Sequence, residues 1–133
     1  MTIDVQLVGI IGAGQMGLGI AQVLATSELD VIIHDNNENV LSTATKVLEK
    51  SLMRAVDKGK LEKVKASDVL NRISFRPHIS DLANCDLIIE AATEDEQIKH
   101  NIFKSLIPHL RPDTILTSNT SSISITRLAA RTD

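Results

Sequence analysis

The sequence predicts an α/β fold, doubly wound, with a mostly parallel sheet and helices on both faces. Three observations lead there. Short apolar runs alternate with amphipathic stretches along the chain. The apolar residues are Ile, Leu, Val and Ala, with two Phe and neither Trp nor Tyr, as parallel strands covered on both sides prefer. The first apolar run empties into a glycine-rich turn, Gly12-Ala13-Gly14-Gln15-Met16-Gly17, with the small residues Gly19-Ile20-Ala21 behind it. At 133 residues and 43% hydrophobic, the chain suffices for one compact domain that buries roughly two-thirds of its unfolded surface.

Taken in order, the elements follow from local rules. Residues 6–11 form the first strand, and a helix over 14–27 begins in the glycine turn. Val31-Ile32-Ile33-His34 is a second strand ending at Asp35. Asn37 then caps a long helix, in which Val40, Leu41, Ala44, Val47, Leu48, Leu52, Ala55 and Val56 recur at helical spacing. That helix stops at Lys58-Gly59, where glycine accepts the left-handed cap. A short helix over 66–71 leads to a weak strand over 73–75, broken by Pro77. Leu87-Ile88-Ile89, flanked by Asp86 and Glu90, is the fourth strand. A helix over 95–107 closes at Pro108. Ile115-Leu116-Thr117-Ser118 is the fifth strand, and a last helix begins over 125–130.

The glycine turn implies a dinucleotide site. A pyrophosphate needs backbone N–H groups aimed at it, the positive end of a helix dipole, and no side chain in the way. Gly12 allows the tight turn out of the strand, Gly14 lets backbone approach the phosphates, and Gly17 lets the helix pack on the sheet. Asp35, a little past the usual ~20-residue spacing, can accept hydrogen bonds from the adenosine ribose. The same acid repels a 2′-phosphate, and Asn36 and Asn37 follow where an NADP-binding chain often carries Arg. NAD is therefore the expected cofactor.

Ligand-binding residues in such sheets gather at the carboxyl ends of the strands. Here those ends carry the glycine turn, Asp35, Glu90 to Glu94, and the polar run Ser118-Asn119-Thr120-Ser121-Ser122. The carboxamide of Asn119 could hold the nicotinamide or its ribose, and the Ser121 hydroxyl a substrate oxygen. The same run would also serve as a helix cap with spare hydroxyls. Ser121 has no His–Asp relay beside it in the sequence and is not read as a nucleophile.

Other functions are excluded or disfavoured. A net charge of −3 and a pI of about 5.8 argue against nucleic acid, as does the lack of stacking aromatics. The single Cys85 forms no internal disulfide and reads as a core residue. His34, His78, His100 and His109 make no metal-ligand set with it, and none pairs with a carboxylate at a catalytic spacing. No long apolar run suggests a membrane span, and Met1-Thr2-Ile3-Asp4 lacks a charged signal start, so a cytoplasmic location is expected.

Three blocks together, residues 12–21, residues 86–95 and Thr117-Ser118-Asn119-Thr120-Ser121-Ser122, resemble the amino-terminal Rossmann-type domain of L-3-hydroxyacyl-CoA dehydrogenases. The resemblance covers nearly the whole chain. It implies NAD binding by Gly12, Ala13, Gly14, Gln15, Met16, Gly17 and Asp35, with Glu94 and Lys99 near the nicotinamide half and the site entrance. It places Asn119 and Ser121 against cofactor and substrate. Ser51 and Lys58 match a serine and a lysine that contact coenzyme A, so an acyl-CoA substrate is implied. The cluster Lys58, Lys60, Lys63 and Lys65 suits its phosphates, or is a solvated face. The expected reaction oxidises a (3S)-3-hydroxyacyl-CoA to a 3-oxoacyl-CoA. Its general base, a His oriented by a Glu in the family, lies beyond this sequence, in a helical carboxyl-terminal domain that also forms a homodimer. The chain alone is therefore expected to bind NAD(H) with negligible turnover. Another 3-hydroxyacid-type dehydrogenase, or a non-catalytic NAD-binding module, are the alternatives on the residues alone.

Overall fold

The structure is a computed structural model that describes residues 5–92 and 95–118. Its elements are β1 (Leu7–Ile11), α1 (Gln15–Thr26), β2 (Asp30–His34), α2 (Glu38–Asp57), α3 (Lys63–Arg72), β3 (Ile73–Arg76), β4 (Leu87–Glu90), α4 (Glu96–Leu106) and β5 (Ile115–Ser118), with 3-10 turns at Ile79–Leu82 and Ile107–His109. The strands form one sheet in the order β3-β2-β1-β4-β5. Every pairing among them is parallel. The expected helix over 125–130 lies outside the described residues.

Two apolar layers sandwich the sheet, because successive residues of a strand face opposite sides. Val8, Ile10, Val31 and Ile33 join Ala21, Leu41, Leu48, Leu52 and Val69 from α1, α2 and α3 in one layer. Ile11 and Ile88 meet Leu82, Cys85, Phe103 and Leu106 in the other, under α4 and the first 3-10 turn. Each fully buried Ile, Leu or Val contributes about 1.5–3 kcal/mol of apolar burial. Inside the second layer, desolvation pushes the Cys85 thiol up to about 12, so it stays protonated and packs as a small apolar group.

Several boundaries differ from expectation for identifiable reasons. Helix α3 begins at Lys63, ahead of the expected 66. Its first turn is exposed and carries no buried residue, so apolar spacing first registers at Ala66. Helix α4 ends at Leu106, one residue before the expected 107, and Pro108 sits within the 3-10 turn Ile107–His109, at an early position where no N–H donor is needed. Asn37 caps α2 as expected, its Oδ1 accepting from Asn39 N (3.0 Å) and Val40 N (3.3 Å). The 3-10 turn at Ile79–Leu82 carries no strong periodic signal, yet it supplies Leu82, which is fully buried.

At the amino end of the sheet, Asp86 ties three segments together. Its Oδ2 accepts from Gln6 N and Leu7 N, both at 3.0 Å, while Oδ1 accepts from Arg111 Nη2 at 2.7 Å. Arg111 also donates to Cys85 O (3.2 Å). Hydrogen bonding to Arg111, then to the two backbone amides, holds the Asp86 carboxyl at about 2, below its ordinary 3.8. The stabilisation is complete above the ordinary value and vanishes as pH falls through about 2. Urea unfolding of Asp86→Asn is expected at a lower midpoint than the parent at neutral pH, with the two midpoints converging near pH 2. A constant offset across that range would rule out the carboxylate as its source.

Candidate functional site

The strand ends are level with one another. Ile11 lies opposite both His34 and Glu90, and Glu90 lies opposite Ser118. The carboxyl ends of β1, β2, β4 and β5 therefore share one edge, where a parallel sheet places its ligands.

The turn after β1 is built for close approach. Gly12 N donates to His34 O (2.8 Å), and Gly12 has φ +111°, a region hostile to other L residues. A methyl on Gly17 would lie 2.0 Å from Gly12 O, so the glycine lets α1 pack against the turn that launches it. Gly14 behaves differently. A Cβ there would meet no atom within 4 Å, and as N-cap of α1 it offers no side chain to the helix's first N–H groups. Gln15 and Met16 follow, both exposed. Open space and the positive end of a 12-residue helix suit an anionic pyrophosphate.

Asp35 is pinned beside this turn. Its Oδ2 accepts from Ala13 N (3.3 Å) and its Oδ1 from Asn37 N (3.0 Å). Each carboxylate oxygen retains lone-pair capacity for a ribose hydroxyl. His34, just before it, is buried, with Nδ1 at 3.1 Å from Arg76 O. Burial lowers the His34 pKa below 6.5, outweighing the opposing pull of that hydrogen bond and of the Asp35 charge. The imidazole is thus neutral at pH 7 and serves to pack the end of β2.

A buried polar cluster fills the space between the ends of β4 and β5. Glu90, with no exposed surface, forms an ion pair with Lys99, which is 1% exposed. Ser118 Oγ lies 3.0 Å from Glu90 Oε1 and accepts from Lys99 Nζ at 3.1 Å. Glu90 Oε2 accepts from Ala92 N at 2.6 Å. Burial pushes the Lys99 ammonium below its ordinary 10.5. Lys99 therefore stands at the strand ends beneath the surface, whereas the family resemblance implies a place near the nicotinamide half and the site entrance. Glu94, Asn119 and Ser121 lie outside the described residues.

Next to the glycine turn, a groove of about 810 Å³ runs between α1 and α2. Ala13, Gly14 and Gln22 line one side and Thr43, Ser51 and Arg54 the other. Ser51 Oγ donates to Gln22 Oε1 (3.0 Å). Lys58, expected to act with Ser51, is exposed at the C-cap of α2 and is not among the groove's lining residues. The sequence places Glu90 among the strand-end residues without a particular role, and does not single out Arg54. A charged residue closing the apolar run Leu87-Ile88-Ile89 was the available signal for Glu90.

Residues 7–133 match the family model described as the NAD-binding domain of 3-hydroxyacyl-CoA dehydrogenase. The chain belongs to this family. A 3-hydroxybutyryl-CoA dehydrogenase of Bradyrhizobium diazoefficiens is 44% identical over 133 residues, which is all of this chain and 45% of that protein. A probable 3-hydroxybutyryl-CoA dehydrogenase of Deinococcus radiodurans is 50% identical over 121 residues, 91% of this chain and 43% of the relative. The crystal structure of the (S)-3-hydroxybutyryl-CoA dehydrogenase from Ralstonia eutropha superposes with a TM-score of 0.93 at 39% identity, covering 98% of this chain and 46% of that one. The chain thus spans about half the length of these dehydrogenases. As a 3-hydroxyacyl-CoA dehydrogenase NAD-binding domain of Rossmann type, it takes NAD as its cofactor, and the open glycine turn beside Asp35 fits that ligand.

Proposed function

We propose that the chain is the cofactor-binding part of a dehydrogenase that reversibly oxidises (3S)-3-hydroxyacyl-CoA, such as 3-hydroxybutyryl-CoA, to 3-oxoacyl-CoA in fatty acid or butyrate metabolism. The observation that carries this reading is the groove's lining, which is continuous from Ala13-Gly14 at the dinucleotide turn to Ser51 and Arg54 on α2. Cofactor and coenzyme A would then share one face of the domain. NAD supplies a hydride acceptor when bound. The chain's own residues bind and orient: Gly12 to Gly17 receive the pyrophosphate, Asp35 the adenosine ribose, and Glu94, Asn119 and Ser121 the nicotinamide half with the substrate oxygen. Ser51 in the groove and Lys58 at the end of α2 hold coenzyme A. The base for the hydroxyl proton and the homodimer contacts belong to the remaining length seen in the relatives. The intact enzyme would act in the cytoplasm; among the described residues no helix is long and apolar enough to cross a membrane.

The test is an NADH fluorescence titration of this chain, run beside absorbance of NADH formed from NAD and (S)-3-hydroxybutyryl-CoA. Binding without turnover is expected; no NADH binding, or robust turnover by the chain alone, would refute the assignment. Asp35→Asn keeps an acceptor for Ala13 N and removes the charge. It is expected to weaken NADH by about 1.5–3 kcal/mol, the worth of a charged hydrogen bond, while narrowing the preference over NADPH. An unchanged NADH-to-NADPH ratio would place the ribose elsewhere.

A further inference from the structure

Glu90 sits where three parts of the cofactor edge meet. Its Oε2 holds Ala92 N, and Ala92 is the residue against which Gly12 packs, since a Cβ on Gly12 would stand 2.8 Å from Ala92 Cα. Ala91 N in turn donates to Ile11 O (2.8 Å), so the exit of β4 braces the exit of β1. Through Oε1, Glu90 reaches Ser118 Oγ (3.0 Å), and Lys99 Nζ closes the ring to the same hydroxyl (3.1 Å). The carboxylate and ammonium are both withdrawn from solvent. Two charges with so little exposure are costly to bury, and a pair of apolar residues would fill the same space at similar or better stability. Charge at this place therefore needs a reason other than stability. Hydrogen bonds supply one: only polar groups can fix Ser118, the last residue of β5, relative to the exit of β4.

We infer that Glu90 is a positioning residue of the NAD site, which, together with Lys99, locks the end of β5 at Ser118 to the glycine turn. This rests on the proposed dehydrogenase reading, in which Asn119, next in sequence after Ser118, holds the nicotinamide half. Glu90 touches neither cofactor nor substrate. It acts on the nicotinamide side through Ser118 and on the pyrophosphate side through Ala92.

The experiment compares NADH with ADP-ribose, which lacks the nicotinamide, on three forms of this chain: the parent, Ser118→Ala, and the double variant Glu90→Leu/Lys99→Met. The double variant removes both charges and so avoids leaving either one buried alone. Thermal unfolding is followed in parallel. Ser118→Ala is expected to unfold at the parental temperature, to bind ADP-ribose as the parent does, and to lose about tenfold in NADH affinity. Ser118→Thr, which restores the hydroxyl, is expected to recover NADH binding. The double variant is expected to unfold at or above the parental temperature and still to bind NADH about tenfold more weakly. Parental NADH affinity in a stably folded double variant would overturn the inference, since the pair would then serve the fold alone. Equal losses for NADH and ADP-ribose in Ser118→Ala would overturn it too, by pointing to a general defect. If the parent binds ADP-ribose and not NADH, the positioning role falls and a nucleotide site remains. If it binds neither, the dehydrogenase reading falls with it.

Discussion

Gly17→Ala is expected to destabilise the domain severely, whereas Gly14→Ala, three residues earlier in the same turn, is expected to leave stability almost unchanged and to damage NADH binding. A methyl on Gly17 would stand 2.0 Å from Gly12 O, inside any permissible contact, and the obstructing atom is backbone. Relief requires α1 to move off the turn, which also disturbs Leu18 and Ala21, both buried in the layer that α1 shares with β1 and β2. Overpacking of this kind costs about 3 kcal/mol, a fall in melting temperature on the order of 10 °C for a domain of this size. Gly14 has φ −78° and ψ −172°, which alanine adopts without strain, and open space where its Cβ would go. The small loss from alanine at an N-cap is offset by the gain of about 0.4–1 kcal/mol from a stiffer unfolded chain. The new methyl would, however, occupy the open approach to the amino end of α1, and a loss of about 1.4 kcal/mol or more in NADH affinity, tenfold, is expected. Paired measurements of melting temperature and NADH affinity test both halves. Parental NADH binding by Gly14→Ala would move the pyrophosphate away from this turn.

Lys99→Met alone is the second large effect. It leaves Glu90, fully buried, without its counter-charge in a low-dielectric layer. Breaking a buried pair from one side costs about 3–5 kcal/mol, against total stabilities of about 5–15 kcal/mol for domains of this kind. Lys99→Met should therefore unfold at much lower urea than the parent. The Glu90→Leu/Lys99→Met double variant should recover the whole loss, because the desolvated carboxylate is gone as well. Urea unfolding of the three proteins gives the coupling energy directly. A single variant within about 1 kcal/mol of the parent would mean that Glu90 is protonated, or reached by water, once Lys99 is removed.

The two sites differ in how far the chain alone discloses them. The glycine turn was readable because each glycine answers a local demand: a left-handed φ at Gly12, close approach at Gly17, an open cap at Gly14. The expected coenzyme A contacts Ser51 and Lys58 came from a family resemblance. The structure sets Ser51 in the groove beside Gln22 and leaves Lys58 exposed at the C-cap of α2, since α2 stops just before it. Lys99 was singled out through the family resemblance, and its burial was not legible. Nothing in Glu96–Leu106 announces that the lysine, rather than a neighbouring polar residue, turns inward.

By itself the sequence determined the alternation of strands and helices, the glycine turn after the first strand, and the acid that closes the second. These rest on side-chain period, glycine stereochemistry and short spacings, all of which act within a few residues of the chain. Tertiary structure decided the strand order β3-β2-β1-β4-β5, the groove between α1 and α2, and the meeting of Glu90 with Lys99 and Ser118. Those partners lie 9 and 28 residues from Glu90. Only the parallel register of β4 with β5, and the packing of α4 beneath the sheet, bring them to one point.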